Sequence, residues 1–472
     1  MKSIALLAGI LSTFVLCPAA FAIHAEIPAE TSAVVAAGAT KITLSGDLRI
    51  RGWYLGSFGS FTGLAGKTIV AVPTRDSSQT YYDERVRLAV DASSGPVSGR
   101  IHLESNNDQH SSYRWGQSNK QPDDFNEKPI GISILEAWIS YSGREFLGVP
   151  SGIKVGHMPL ALGTATLFFD NTKFGDDAIA VYMDPASNTH LSFFTVKGAE
   201  ESIATGHNGN DLDIYAGVFN GEYKGQQLGV YYAYMNQPGS PSKETIDLIT
   251  TSGPISDLSL QDMGFFAKGK LYGVDYTAQA DFQFGKDGGI LTGESLDAEG
   301  YGLWLGLGYK IEPFNIRAMF AYGSGDSSST GNDKQFITFL NPRTQYYSLV
   351  YDYNLAGATG VRTAGIADTT VFNFGIDITP VAKLKLSLDG YLLRANAANA
   401  TILSKQFGKT VTSTSYDIGT EVDLKGAYQL TKELVYFANA GVLSTGDFYK
   451  DVLGPAADTD PWVLMHGLEL AF

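Results

Sequence analysis

The chain has 472 residues and a formal net charge of −15, and it is rich in glycine and aromatic residues, with 53 Gly, 26 Phe and 25 Tyr. Its acidity excludes nucleic acid as a partner, because a nucleic-acid surface must be basic to displace counterions, and its composition favours strands and turns over helical bundles. The sole cysteine, Cys17, lies in a segment predicted to be removed, which excludes a disulfide framework, a thiolate metal site and a catalytic thiol in the mature protein.

Residues 1–22 have the pattern of a secretory signal peptide. Lys2 precedes a short apolar stretch, and Ala20-Phe21-Ala22 offers small residues at the two positions that signal peptidase reads, so we expect cleavage after Ala22. A lipoprotein box ending at Cys17 is the less favoured alternative, because Leu16 is not small. After this segment no apolar run approaches the roughly 20 residues of a transmembrane helix, which excludes an ordinary inner-membrane protein.

Residues 23–40 are interpreted as a short periplasmic tail, partly helical and without a separate domain, and residues 41–472 as a β-barrel. Segment 274–284 has apolar or aromatic side chains at every even position and polar ones at the odd positions from 275 to 283. A period of two is the pattern of a β-strand with one apolar and one polar face, because successive side chains point to opposite faces. The strand near 417–424 repeats it, with Ile418, Val422 and Leu424 assigned to the apolar face.

The connections between these strands distinguish a membrane barrel from a soluble β-sandwich, which would share the alternation. Short turns are predicted near 95–100, 143–152, 184–190, 222–227, 271–274, 311–314, 379–384 and 429–433. Long polar loops are predicted near 59–75, 107–131, 164–177, 199–211, 237–257, 285–298, 323–369, 395–414 and 447–461. The pattern predicts an all-β, closed antiparallel up-and-down transmembrane β-barrel of 18 strands, with short periplasmic turns and long extracellular loops. Within the seventh loop, 345–351 is either an external hairpin or part of an extra strand pair that would raise the count to about 20.

Aromatic residues beside the short turns, such as Tyr272, Tyr309 and Tyr428, match the interfacial girdle of a membrane barrel. The chain ends at Phe472 after alternating apolar residues, an ending that resembles the C-terminal signal of outer-membrane proteins. The resemblance implies the barrel assembly machinery as a partner, and outer-membrane lipid is the other expected partner.

Polar side chains of inward parity are expected to line a water-filled lumen. The first three strands place a basic stripe on one wall, formed by Arg49, Arg51, Arg85, Arg87 and Arg100 and accompanied by Glu104. Later strands contribute mostly acids, and the lining predicted there is Asp275, Asp281 and Glu421, with the cations Lys154 and Arg317. Opposed walls of unlike charge would create a transverse field that filters ions; neutralisation between neighbouring strands is the alternative.

The third loop, 164–177, is expected to fold inward and narrow the pore. It carries three phenylalanines, which a purely external loop has little reason to contain. Its charged residues are therefore assigned to the constriction: Asp170, Lys173, Asp176 and Asp177. Packing of this loop against the barrel rim is the alternative.

Short motifs resemble the alginate-export type of outer-membrane barrel. They lie at 44–51, at 154–160 and in Phe169-Asp170-Asn171 followed by 174–178. The resemblance implies an 18-stranded pore for an anionic polysaccharide with an arginine-rich lumen, which is similar to the basic stripe here. The acidic majority on the other wall departs from that pattern and leaves general and substrate-specific porins as equal relatives.

These features together predict a passive outer-membrane channel for small hydrophilic solutes, with anions and sugars as candidates. An export channel for an anionic polysaccharide and a plugged structural or adhesive barrel are the alternatives. A lipid hydrolase is the least favoured, because His466, the histidine assigned to an outward strand position, lacks an evident Ser or Asn partner in its segment. We expect no cofactor, no metal and no catalytic residue, and both a monomer and a trimer remain open.

Overall fold

The computed structural model describes residues 33–37, 40–62, 68–106, 113–115, 131–144, 148–165, 167–172, 175–199, 211–238, 257–288, 295–327, 331–338, 347–355, 366–400, 403–404, 410–412 and 414–472. Its 18 principal strands form one closed antiparallel barrel, as predicted. They are β1 Thr40–Thr62, β2 Thr68–Ser94, β3 Val97–Asn106, β4 Gly131–Gly143, β5 Ser151–Met158, β6 Asp176–Ala186, β7 Thr189–Ala199, β8 Leu212–Tyr223, β9 Gln226–Gln237, β10 Leu258–Leu271, β11 Val274–Asp287, β12 Tyr301–Ile311, β13 Phe314–Gly323, β14 Thr369–Val381, β15 Leu384–Ala395, β16 Asp417–Gln429, β17 Leu434–Thr445 and β18 Trp462–Ala471.

Each strand pairs with the next one in the chain, and β18 returns to pair with β1. The closing ladder runs from Asp47 opposite Ala471 to Gly56 opposite Trp462. Closure leaves no open sheet edge along this ladder, which a lipid environment requires of a spanning sheet. In the part of the chain that the structure describes, no helix is long and apolar enough to cross a membrane.

Alternating polarity explains which face of each strand points outward. On β11, Phe282 and Phe284 are exposed on the outer surface, whereas Gln279, Asp281 and Gln283 are buried on the inside. The same inversion holds on β14, where Phe372 and Phe374 face outward and Asn373 is buried. Exposed rings on the outside and buried polar groups on the inside suit a lipid surround.

All eight short turns lie where the sequence predicts them, at one end of the barrel. In the turn between β8 and β9, Lys224 and Gly225 have φ of 50° and 75°; between β10 and β11, Tyr272 and Gly273 have φ of 50° and 86°. Positive φ at both central residues is typical of the tight hairpin turns that match strand twist. The long loops lie at the other end; in bacterial outer-membrane barrels the end with the short turns is the periplasmic one, and the two ends are named accordingly below.

The first hairpin differs from its prediction, because strands occupy most of the expected loop 59–75. Strands β1 and β2 remain paired as far as Thr62 opposite Thr68. This is well beyond Gly56, the last residue of β1 that pairs with β18. The register shifts after Gly56, and Ser57 has a φ of 60°. Phe58 and Val72 are buried, and Arg75 Nε of the projecting hairpin donates to the Asp458 carbonyl at 3.1 Å.

Two further local features differ from expectation. Within the described part of the N-terminal tail, Ala33–Ala37 is a strand that pairs with β1 from Thr40 to Leu44 and not a helix. On β16 a register shift near Gly419 reverses the parity, so Ile418 is buried inside, whereas Val422 and Leu424 face outward as expected. The signal peptide and residues 23–32 lie outside the described residues.

Loops fill the extracellular half of the lumen and build an apolar core there. Phe168 and Phe169 of the third loop are fully buried and approach Phe194 of β7, with ring centroids of Phe169 and Phe194 6.1 Å apart. The helix α1, Asp447–Leu453, buries Phe448 and Tyr449. The inward faces of β7 and β8 also carry buried apolar residues, namely Val196, Leu212 and Ile214. The interior is therefore not polar throughout.

Candidate functional site: the pore lining

Four of the five predicted arginines lie in ion pairs on the inner wall of β1 to β4. Arg51 donates to Asp83 from Nε at 2.8 Å and from Nη2 at 2.7 Å. Arg85 lies 2.6 Å from Asp47 and 3.5 Å from Glu469 of β18. Remaining pairs join Arg87 to Glu104 at 2.5 Å, and Arg100 to Glu136 at 3.0 Å and to Asp91 at 3.2 Å.

Arg49 is the exception in this stripe. Its side chain is inside the wall, 7% exposed, directly opposite Arg85 on β2, and its Nε is buried without a hydrogen-bond partner. Its neighbour on β18, Glu469, pairs with Arg85 instead. Among the described residues no carboxylate forms an ion pair with Arg49. A buried guanidinium beside other cations, without its own counter-ion, is a site where a negatively charged group would be stabilised.

An aromatic stack lies next to Arg49. The rings of Trp53 and Tyr353 are nearly parallel, with centroids 5.8 Å apart and an interplanar angle of 5°, and Tyr81 stacks on Trp53 at 6.1 Å. The guanidinium of Arg51 is 4.8 Å from the Trp53 ring centroid, and its Nη1 donates to the Tyr353 hydroxyl at 3.4 Å. Cations over an aromatic face are held by the ring quadrupole.

The periplasmic half of the wall keeps partly exposed charges. Lys154 of β5 lies 3.9 Å from the ring centroid of Trp138, whose Nε1 donates to Glu136 at 2.9 Å. Arg87 and Arg100 are also partly exposed. Asp275 is at the periplasmic rim, well exposed and 3.3 Å from Lys270. Solvated charges of both signs characterise this half of the lumen.

The acidic wall is more deeply buried than the sequence suggested. Asp281 is fully buried and accepts from Gln279 Nε2 at 2.9 Å. Arg317 lies 2.7 Å from Asp377 and 3.0 Å from Asp389, so this predicted cation neutralises acids on its own wall. Local neutralisation, the alternative to a transverse field, therefore describes Arg317 and most of the basic stripe.

The third loop lies inside the barrel, with its backbone fixed to the far wall. Gln279 Oε1 of β11 accepts from the backbone N–H of Thr164 at 2.8 Å and of Ala165 at 2.7 Å. Asp170 is buried and accepts from the N–H and hydroxyl of Thr172. The described part of this loop therefore lies inward and packs on the interior wall at β11 rather than on the barrel rim.

The remaining charges of that loop are placed differently from one another. Asp176 is buried, with its Oδ1 2.7 Å from Asn171 Nδ2. Asp177 instead lies on the outer face of β6 and pairs with His157 at 2.8 Å, because residues of a strand alternate in direction. Its assignment to the constriction disagrees with this geometry. Lys173 lies outside the described residues.

A segment of the seventh loop also enters the lumen, and the sequence did not indicate this. We call residues 347–355 the inner segment; within it Leu349–Asn354 forms a π-helical turn, and neither an external hairpin nor a strand is present there. Glu421 of β16 accepts from the N–H of Val350 at 2.6 Å and of Tyr351 at 2.9 Å, and Asp423 accepts from Leu349 at 3.0 Å. The predicted lining residue Glu421 is thus covered by this segment.

Two loop carboxyls are buried as well. Asp368 accepts from the backbone N–H groups of Asn396, Ala397 and Ala398, yet burial is the larger effect and raises its pKa to about 7. Burial and the neighbouring Asp287 and Asp326 raise the pKa of Asp333 to about 8. The loop packing thus contains groups that change charge near neutral pH.

Sequence parity could have found several further lining residues. Asp83 has the same parity as Arg85 and Arg87, and Glu469 has the inward parity of β18. Trp53 also faces inward, although an aromatic residue at that position would ordinarily be assigned to the lipid face. His157 shares the outward orientation with His466, whose described neighbours are the rings of Tyr54, Tyr82 and Tyr436.

Comparison with known proteins agrees with this architecture. The sequence profile of a family described as alginate export matches residues 73–461. OccK8 (OprE) of Pseudomonas aeruginosa is similar in structure at 12% identity and a TM-score of 0.51, over 91% of this chain and 98% of that one. The outer-membrane protein OprD of the same organism is similar at 9% identity and a TM-score of 0.50, over 91% of this chain and 94% of that one. These likenesses show a shared fold, and no curated protein matches the chain.

Proposed function

Since the chain belongs to the alginate-export family of outer-membrane β-barrels, we propose that it is a passive channel for small hydrophilic solutes, with a preference for anions. The observation that carries the proposal is Arg49, a cation inside the lumen wall without a carboxylate partner among the described residues. An anion passing this position would gain a charge-assisted contact that the neighbouring, already paired arginines offer less readily.

The partly exposed cations nearer the periplasm extend this path. Arg87, Arg100 and Lys154 lie on β2, β3 and β5, and each has some solvent access. An anion leaving Arg49 would meet these groups in turn. Several weak sites in sequence favour passage over retention, because conduction requires binding that is also easily reversed.

The test is the ion selectivity of the purified protein in planar bilayers under a salt gradient. Arg49→Gln should shift the reversal potential toward cations, since it removes a positive charge that has no carboxylate partner among the described residues. Arg75→Gln is the control, because Arg75 is exposed on the projecting hairpin and pairs with Asp458. Equal reversal potentials in wild type and Arg49→Gln would reject the role of Arg49. No current from correctly folded protein would instead favour the plugged or adhesive alternative.

An export channel for an anionic polysaccharide is the second candidate, and membership of a family described as alginate export favours it. The partly exposed cations Arg87 and Arg100 are groups that the carboxylates of such a chain would contact. Oligomers of a uronic acid should then block the current at lower concentrations than neutral oligosaccharides of the same length. Equal block by both would speak against this candidate.

Assembly and membrane contacts follow from the same barrel. Phe472 exchanges backbone hydrogen bonds with Gly46 at 2.8 and 3.0 Å, which places the C-terminus at the closing seam. We propose that the assembly machinery recognises this end, that signal cleavage precedes insertion, and that the outward aromatic residues contact outer-membrane lipid.

A further inference from the structure

Two buried carboxylates lie together on the inner wall of β10 and β11. Asp262 and Asp281 are each 0% exposed, and neither forms an ion pair with a described residue. They are diagonal neighbours, because Asp262 lies opposite Gln283 and Asp281 lies opposite Gly264. Two like charges this close repel in a buried medium, and burial adds the cost of desolvation. A proton or a positive ion must therefore accompany the pair.

The hydroxyl of Tyr231 lies beside these carboxylates. Tyr231 of β9 is opposite Gly264 and its ring lies over that glycine, where a built Cβ would be 2.7 Å from Asp281 Oδ1. The tyrosine is 1% exposed, and its hydroxyl has no hydrogen-bond partner although both carboxylates are near. Oδ1 of Asp262 is also buried without a hydrogen-bond partner. A phenol oxygen and a carboxylate oxygen thus keep unused lone pairs next to a second carboxylate.

Two glutamine amides contact the carboxylates and hold loops at the same time. Gln279 Nε2 donates to Asp281 at 2.9 Å, and Gln283 Nε2 donates to Asp262 at 3.2 Å. The carbonyl end of Gln279 accepts from the third loop, and that of Gln283 accepts from the N–H of Ile337 at 2.8 Å. These neutral donors stabilise the carboxylates without cancelling their charge. Whatever occupies the pair therefore lies directly beneath the attachment points of two loops.

We infer that Asp262, Asp281 and Tyr231 form a binding site for one calcium ion in the barrel wall. A divalent cation cancels the charge of two carboxylates, whereas a monovalent cation would leave a buried negative charge. Oxygen ligands suit hard cations, and Ca²⁺ accepts irregular geometry, whereas Mg²⁺ demands an octahedral set and keeps several waters. Among the described residues no group of three or more His, Cys, Asp or Glu side chains could hold a metal ion, so the ligands here are two carboxylates and neutral oxygens.

Calcium content after refolding tests the site. Protein refolded into detergent with Ca²⁺ and dialysed against calcium-free buffer should retain one Ca²⁺ per chain more than the double variant Asp262→Asn/Asp281→Asn, measured by atomic emission. The variant keeps both side-chain volumes and removes both charges. Asp275→Asn is the control, because Asp275 is exposed at the periplasmic rim, and it should retain as much calcium as wild type.

Thermal stability provides a second measurement, in which the order of two proteins should reverse. With a chelator at pH 8, the double variant should unfold at a higher temperature than wild type, because two buried like charges are absent. With Ca²⁺, wild type should unfold at the higher temperature, since a ligand that binds only the folded state stabilises it. The same concentration of Mg²⁺ should leave the order as it is with the chelator.

The outcomes are independent of whether the barrel conducts. Equal calcium content in wild type and the double variant overturns the site. So does an unfolding temperature of wild type that responds to pH and not to Ca²⁺, which would assign a proton to the pair. If the double variant does not fold, Tyr231→Phe replaces it: loss of the phenol oxygen should weaken calcium retention several-fold, and unchanged retention overturns the site.

Discussion

At the scale of single residues, the buried pair of Arg51 and Asp83 is the interaction whose loss should be most costly. Both side chains are buried, two hydrogen bonds join them, and Trp53 Nε1 donates a third to Asp83 at 3.0 Å. Removing one member of such a pair leaves an uncompensated charge, and the expected cost of Asp83→Asn is about 3–5 kcal/mol in the free energy of unfolding. Unfolding by denaturant in detergent micelles, followed by tryptophan fluorescence, measures it.

The matched control is the exposed pair at the periplasmic rim. Asp275 and Lys270 are 3.3 Å apart but well solvated, so Asp275→Asn should change stability little. If both variants lost the same stability, burial would not be what distinguishes the two pairs. The contrast also bears on the lining: arginines that already have partners are expected to contribute mainly to stability, whereas Arg49 is the residue for which solute binding is proposed.

At the scale of single elements, the loop carboxyl Asp368 should make loop packing depend on pH. Its pKa in the folded protein is raised to about 7, above the unfolded value of about 4. The folded state therefore holds the proton more tightly, so the contribution of this group to stability is present at low pH and is lost as pH rises from about 4 to about 7.

The measurement is the pH dependence of loop protection. Proteolysis of the extracellular loops in wild type should become faster between pH 5 and pH 8. This group can lower the free energy of loop opening by at most about 1.4 kcal/mol per pH unit. Asp368→Asn stays neutral at every pH and should flatten this part of the dependence. An unchanged dependence in the variant would assign the effect to other groups, such as Asp333.

Strands and turns could be predicted from the sequence because lipid imposes one rule on every outward side chain. The apolar positions of β11 and the short turn at Tyr272 follow directly from that rule. Register shifts escape it, because one extra residue reverses the parity, as at Ile418 on β16. Where the first hairpin projects beyond its last contact with β18, lipid no longer constrains it, and the predicted loop 59–75 proved to be mostly strand.

The interior could be predicted only in part, because a lumen accepts polar and apolar side chains alike. Parity placed Arg49 and Asp281 inside. It could not show that Arg49 lacks a carboxylate partner among the residues that the structure describes, or that Asp281 is buried beneath loops. The inner segment escaped prediction because its aromatic residues would suit an external hairpin equally well. Only the positions of Glu421, Asp423 and Gly441 on distant parts of the chain fix where the segment lies.

At the scale of the whole molecule, barrel closure depends on the seam between β1 and β18. The C-terminal Phe472 pairs with Gly46, and a Cβ at Gly46 would lie 2.5 Å from the backbone oxygen of Arg87 on β2 and 2.9 Å from one atom of the Phe472 ring. Gly46→Val should therefore strain β1 against both of its neighbours, β2 and the terminal residue at the seam. Since an unclosed barrel leaves unpaired backbone groups in lipid, fewer molecules should reach the folded state.

Gly390 provides the matched control for this prediction. It also has outward parity, on β15, but the nearest atom to a Cβ there is 4.0 Å away. Folded barrels migrate differently from unfolded ones on unheated detergent gels, so the folded fraction is measured directly. Gly390→Val should fold as wild type does, whereas Gly46→Val should accumulate unfolded protein. Equal folding of the two variants would mean that the seam tolerates displacement of Phe472, and that closure is secured by the ladder above it, from Asp47 to Gly56.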